Sequence, residues 1–183
     1  VVGVPIGNLD VITVRALRVL RAVPIIACED TRRTGKLLSL LDVARPTLVS
    51  LHDHNEAQRV EPLLARLEAG DSVALVSDAG TPAISDPGYR LVKAARDAGL
   101  AVVPIPGPSA VITALCAAGL PTDRFRFVGF LPSKAQGRAK ALAELADARE
   151  TLVFYESPHR VQAFLEAAVE AFGADRPAVI ARE

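Results

Sequence analysis

Short apolar runs recur along this chain at fairly even spacing, and the stretches between them return to apolar residues every three or four positions. Strand-length runs occupy residues 1–4, 25–28, 47–51, 72–77 and 101–105. They are nearly continuous rather than alternating, the pattern of strands covered on both faces. Residues 14–23 place Val14, Leu17 and Leu20, or Val14, Ala16 and Val19, inside, with Arg15, Arg18 and Arg21 outward. Residues 55–69 start at Asn55 as a cap and stop before Gly70, residues 89–98 close at Gly99, and residues 108–118 close at Gly119. Strands alternating with helices predict an α/β domain whose sheet is mostly parallel and covered on both sides. That first domain is expected over residues 1–120.

Past Gly119 the pattern changes. Residues 124–130, RFRFVGF, alternate as an antiparallel strand would, and residues 131–137, LPSKAQG, read as a polar, basic turn. A helix follows over 138–149, a strand over 151–155, a helix over 158–172 and the start of a strand at 177–181. Three strands fall short of a typical sheet of about five. A second α/β domain, incomplete in this chain, is therefore expected over residues 121–183.

Composition narrows the classes. A chain of 183 residues that is 50% hydrophobic can bury a substantial core. No run approaches the roughly 18 apolar residues of a membrane span, and no signal-like segment opens the chain, so a cytoplasmic protein without membrane association is expected. The 21 basic and 21 acidic residues cancel, which argues against coating nucleic acid by bulk charge. Local patches remain at Arg32, Arg33 and Lys36 and at Lys134, Arg138 and Lys140, each of which also reads as a solvated helix end or loop. Cys28 and Cys116 lack metal or redox spacing and read as buried free thiols. The chain has no Met and opens on an apolar run; a fragment of a longer product, cut at both ends, is expected.

Chemistry is expected in the loops. Residues 77–89, SDAGTPAISDPGY, follow a strand directly and hold two Gly, two Pro and two Asp. In open α/β sheets, ligands bind outside the carboxyl ends of the strands, where glycines let the backbone approach. The alternative is a turn that restarts a helix, with Asp86 as N-cap and Pro87 at its first position. Companion loops occur at 5–9 (PIGNL), 106–110 (PGPSA) and 156–160 (ESPHR). Three in the first domain and one in the second predict a cleft between domains. Neither GxxxxGK[ST] nor GxGxxG is present, which weakens mononucleotide and NAD readings. His52 and His54 have the spacing of a metal pair on a strand, but no Cys or second carboxylate pair completes a site, so no metal is expected.

Eight segments carry a resemblance: PIGNL at 5–9, ACEDTRRT at 27–34, HDHNE at 52–56, SDAGTPAISDPGY at 77–89, PGPSA at 106–110, GFLPSK at 129–134, FYESPHR at 154–160 and ARE at 181–183. In this order, over essentially the whole chain, they resemble the ribosomal RNA small-subunit methyltransferase I family. The resemblance implies a fold of two α/β domains of the tetrapyrrole-methylase type, usually a homodimer, with S-adenosylmethionine folded between the domains. It implies methyl transfer to the ribose 2′-hydroxyl of a cytidine in the decoding centre of 16S rRNA, a step of ribosome biogenesis with 16S rRNA or the small subunit as partner. It sets the cofactor against Pro5, Ile6, Gly7, Asp78, Ala79, Gly80, Thr81, Ile84, Ser85, Ser109 and Ala110, and against Tyr155 and Glu156 of the second domain. The family pattern has an acidic residue where Val11 stands, and its members continue well past Glu183.

A ribose hydroxyl is a poor nucleophile at neutral pH. A positioned base contributes a factor of roughly 10²–10⁴, and alignment contributes ~7–11 kcal/mol. The carboxylates and imidazoles of residues 29–30 and 52–56 are expected to line the acceptor side. Asp30 is favoured as base or ribose orienter, with Glu56 in the same role, Arg32 as a phosphate contact, and Arg33, His54 and Asn55 as further substrate contacts. Lys134, Arg138, Lys140, His159 and Arg160 are expected to form an RNA-phosphate surface. A precorrin-type tetrapyrrole C-methylase competes within the same fold, and a non-catalytic binding module competes from another class. The EDTRRT, HDHNE and GFLPSKAQGR segments suit RNA phosphates better than a carboxylated macrocycle.

Overall fold

Ile25, Ile26, Ala27 and Cys28 are all buried, so the strand they form, β1 (Ile25–Cys28), is covered on both faces. The computed structural model, which describes residues 1–44 and 46–182, places β1 between β2 (Thr47–Ser50) and β3 (Val73–Val76) in an all-parallel sheet of order β2-β1-β3. Successive strand residues point to opposite faces. Ile26 and Cys28 join Ala16, Leu20, Leu38, Ala74 and Val76 in one core, while Ile25 and Ala27 join Leu51, Leu63, Leu75 and Leu91 in the other. The first core is closed by α1 (Val14–Ala22) and α2 (Thr31–Leu40), the second by α3 (Glu56–Glu68) and α4 (Tyr89–Asp97). The chain divides into two compact units, Val1–Ala110 and Val111–Glu183, and this doubly covered sheet is the first.

Several elements differ from the sequence expectation. Residues 1–4 and 101–105 form bridges rather than strands: Val2 pairs with Ile105 and Val4 with Gly80. Pro104 and Pro106 flank Ile105, and neither has an N–H for a ladder. Helix α1 is capped by Thr13, whose Oγ1 accepts from Ala16 N–H at 3.1 Å, and it buries Ala16 and Leu20. Val14, expected inside, is 77% exposed. Helix α2 stands where the sequence reading had no element; Asp30 caps it by accepting from Arg32 N–H at 2.8 Å. Asn55 sits at the start of α3 without a side-chain cap; its amide is spent on His52 N–H and the Ser50 carbonyl instead. Helix α4 begins at Tyr89, three residues after Asp86, with Gly88 rather than Asp86 at the cap.

In the second unit, β4 (Phe125–Phe130) pairs with β5 (Thr151–Tyr155) in parallel, correcting the antiparallel expectation for residues 124–130. The crossover that a parallel pair requires is α6 (Ala135–Ala143), shifted toward the amino end relative to the expected 138–149. The sequence alternation of β4 is not matched by its burial, since Phe125 and Phe130 are exposed and Gly129 is buried, and it does not report the direction of the strand. Helix α5 (Ala110–Ala117) lies at the division between units, and α7 (Val161–Phe172) packs with α6. Residues 177–181 form no strand, and Val179 and Ile180 are exposed, since no partner strand lies beside them among the described residues. Glu183, the last residue of the ARE segment, lies outside the described residues.

Candidate functional site

Because β1, β2 and β3 run in parallel, the segments that follow them emerge at one edge of the sheet. After β1 come Glu29 and Asp30, after β2 the turn of residues 52–55, and after β3 the long loop of residues 77–88. Asp78 ties two of these together. Its Oδ1 accepts from Asp30 N–H at 3.2 Å, and its Oδ2 pairs with Arg33 Nη1 at 3.1 Å.

The loops named for the cofactor in the first unit are locked to one another. Val4 and Gly80 exchange backbone hydrogen bonds of 2.9 and 3.1 Å. Thr81 Oγ1 donates to the Pro108 carbonyl at 3.3 Å, and Thr13 Oγ1 donates to the Pro106 carbonyl at 3.4 Å. Gly3 lies so close to Gly107 that a Cβ on Gly3 would stand 2.9 Å from Gly107 Cα. Pro5, Ile6, Gly7, Asp78, Ala79, Gly80, Thr81, Ser109 and Ala110 therefore belong to three loops with a common backing. Beyond Thr81 the backbone is strained: Ala83 and Ser85 have φ of 67° and 59°, and Ile84 between them is exposed. Left-handed non-glycine residues cost ~1–3 kcal/mol each and persist where surroundings over-determine them, which is commonest at ligand sites. A groove of about 550 Å³ elsewhere in this unit is lined by Val19, Leu67, Leu91, Ala95 and Val102 and by none of these loop residues.

Charge around the sheet edge is uneven. The Arg32 guanidinium, with the backbone of the same residue, holds the Asp30 carboxyl at about 2, below its ordinary 3.8. This pair is bidentate, Nε at 3.2 Å and Nη2 at 2.9 Å. Burial pushes the Glu29 carboxyl up, with Asp78, Asp86 and Asp53 adding to the rise and Arg33 opposing it. Burial also raises Asp86, which the Ser77 hydroxyl partly offsets while Asp78 and Asp53 add to the rise. Glu56 is 7% exposed, and its Oε1 accepts from Gly88 N–H at 3.1 Å and Arg90 N–H at 2.8 Å. His54 is exposed, and its ring stands edge-on to that of His52 at 6.0 Å; His52 Nδ1 is buried without a hydrogen bond. Among the described residues no three His, Cys, Asp or Glu side chains are grouped to hold a metal.

Glu29, expected only among the groups lining the acceptor side, and Asp86, expected only as a helix cap, gain prominence from their raised carboxyls. The available signal was a carboxylate just past each of three strands, Glu29, Asp53 and Asp78, but only the order β2-β1-β3 makes those positions neighbours. In the second unit, Tyr155 ends β5 with its ring 5.0 Å from Phe127 and 5.4 Å from Phe130. The Glu156 carboxylate, 7% exposed, accepts from Ser157 N–H at 2.8 Å and pairs with Arg160 Nη2 at 3.0 Å. Arg160 also donates to the Leu131 carbonyl at 2.9 Å. Lys134, Lys140 and His159 are exposed, but Arg138 is 8% exposed and points to no open surface role.

The family model of the tetrapyrrole (corrin/porphyrin) methylases matches residues 1–183. Among curated proteins, the chain is 56% identical over its whole length to ribosomal RNA small subunit methyltransferase I of Escherichia coli O157:H7, covering 64% of that protein. It is 55% identical to the protein of the same name in Vibrio cholerae, covering 63% of it, and 51% identical to that of Pseudomonas aeruginosa, covering 64%. The chain thus spans a little under two thirds of the length of these relatives. Among solved structures it resembles a uroporphyrin-III-C-methyltransferase from Thermus thermophilus with a TM-score of 0.62 and 27% identity, over 93% of this chain and 72% of that one. The two α/β units and the matches across the full chain make this protein a member of the tetrapyrrole (corrin/porphyrin) methylase family, and it is similar to ribosomal RNA small subunit methyltransferases I.

Proposed function

We propose that this protein is part of an S-adenosylmethionine-dependent methyltransferase that methylates the 2′-hydroxyl of a cytidine in the decoding centre of 16S rRNA. The observation that carries the cofactor assignment is the three-loop assembly of the first unit, in which Gly3, Gly80 and Gly107 bring backbone against backbone. Such loops suit S-adenosylmethionine: backbone N–H and C=O groups satisfy its polar ends, and Ala79, Gly80 and Ser85 leave space. Ile6 and Ile84 would supply apolar contact to the bound cofactor. Cofactor contacts at Tyr155 and Glu156 rest on the resemblance alone. The rRNA substrate rests on relatives of that name at 50–56% identity, against 27% for the uroporphyrin enzyme.

Bound S-adenosylmethionine supplies an electrophilic methyl group. The chain must then hold the ribose in line and accept its proton. Asp30, held at about 2 by Arg32, stays ionised at neutral pH but is too weak a base to do this well. We assign it to orienting the ribose, with Arg32, Arg33 and His54 meeting the substrate. The raised Glu29 carboxyl is the better proton acceptor, which then passes the proton to solvent. Glu56, expected alongside Asp30 as base or ribose orienter, is given no part in the chemistry because its buried carboxylate is taken by the Gly88 and Arg90 amides; with Asn55 it holds the frame.

Methyl transfer to small ribosomal subunits lacking the modification, followed by mapping of the modified ribose, tests the reading; no methylation by the protein as its gene encodes it overturns it. Glu29→Gln is expected to lower the single-turnover rate by roughly 10²-fold. It should also remove an acid limb in kcat/KM whose midpoint lies above the ordinary carboxylate value of 4.5. An unchanged limb would take Glu29 out of the chemistry.

A further inference from the structure

Glu56 opens α3, yet its carboxylate serves a segment more than thirty residues away. Its Oε1 accepts from the N–H groups of Gly88 and Arg90, at 3.1 and 2.8 Å. A buried carboxylate is costly unless donors hold it. These donors are the opening amides of α4, where aligned peptide dipoles favour negative charge and four N–H groups lack helical partners. Helix α4 has no side-chain cap of its own, because Gly88 stands at that position. Glu56 is therefore the cap, supplied from another element.

The segment that ends at this cap is the strained loop. Between β3 and α4, positive φ occurs at Gly80, Ala83, Ser85 and Gly88. The Gly80 end is fixed by its paired hydrogen bonds to Val4. The Gly88 end is fixed by Glu56 and by contact with Leu75, whose Cδ2 would lie 2.6 Å from any Cβ there. With both ends fixed, Ala83 and Ser85 cannot relax. With one end released, they can return to negative φ and carry the loop amides out of place.

We propose that Glu56 is a positioning residue that latches residues 78–88 in the shape that receives S-adenosylmethionine, an inference that rests on assigning this loop to the cofactor. Because Glu56 directly follows the His52–Asn55 turn, the latch also joins the acceptor-side turn to the cofactor loop. Binding weakens in proportion to the fraction of molecules with the loop in its competent shape.

The test uses the protein as its gene encodes it. Glu56→Ala is expected to raise the KM for S-adenosylmethionine about tenfold while kcat at saturating cofactor stays within about twofold. Glu56→Gln keeps an acceptor oxygen but loses the charge, and is expected to restore most of the affinity, leaving a rise of roughly two- to threefold. Amide exchange without cofactor should quicken across residues 79–90 in Glu56→Ala. A lowered melting temperature with wild-type KM makes Glu56 a helix cap alone and overturns the proposal. Should Glu56→Ala not fold, Glu56→Gln decides, with unchanged KM and exchange overturning it. Calorimetry on the wild type separates the two assignments: no binding there rejects the cofactor reading, and exchange at Gly88 and Arg90 still upholds or overturns the latch.

Discussion

Asp30 carries three duties, two through its side chain and one through its backbone. It accepts from Arg32 N–H as the cap of α2, forms a two-point pair with the Arg32 guanidinium, and through its own N–H meets Asp78. Its carboxyl sits at about 2 instead of 3.8. A carboxyl depressed in the folded state contributes stability that is present above its unfolded value and lost as pH falls through the folded one. Asp30→Asn should therefore lose stability at neutral pH and flatten the acid limb between about 3.8 and about 2. Urea midpoints measured across that range check this. An unchanged acid limb would mean that the pair with Arg32 does not persist in solution. Glu29, its neighbour, runs the other way: its raised carboxyl favours the folded state when protonated, and that contribution fades as pH rises from 4.5 through the folded value. Two adjacent carboxyls, one paired and one partly buried, thus acquire opposite tendencies.

At the scale of elements, the site is a matter of loops braced by loops. Gly3 and Gly107 meet main chain to main chain, and a Cβ on Gly107 would lie 2.8 Å from Gly3 Cα. No rotamer change relieves such a contact, because the obstacle is backbone. Gly3→Ala or Gly107→Ala is expected to cost ~1–3 kcal/mol by overpacking and to weaken S-adenosylmethionine binding, read by urea unfolding and calorimetry. Wild-type values for both would show that the loops part freely. Helix α2 illustrates what pattern reading loses at this scale. Only Thr34 and Leu38 are buried in it, and Gly35 and the basic residues Arg32, Arg33 and Lys36 interrupt the apolar period. Helices α1, α3 and α4 and strand β5 were legible because a cap, an apolar stripe or a closing glycine marks them. The direction of β4 was not, because alternation along one strand says nothing of which partner strand lies alongside.

Over the residues of this chain the charges cancel, so the proposed RNA affinity would come from local cations rather than the overall field. Lys134 and Lys140 are exposed in the second unit, and replacing either with Ala is expected to reduce the salt slope of RNA binding by about one. Arg138 is buried, and its substitution should act on folding instead. An unchanged slope in both lysine variants would remove the second unit from the RNA surface. Much of the molecule was legible in the sequence: the α/β class, the strands of the first sheet, most helices, and the Gly- and Pro-rich loops between them. These follow from local causes, namely side-chain period, caps, and glycines where the chain must turn. Tertiary structure alone decided that Glu29, Asp53 and Asp78 follow neighbouring strands, that Glu56 caps a helix 32 residues away, that Arg138 is buried, and that β4 and β5 run in parallel. Each of these depends on which segments pack together, and a hydrogen bond or a shifted carboxyl is set by neighbours in space that spacing along the chain does not specify.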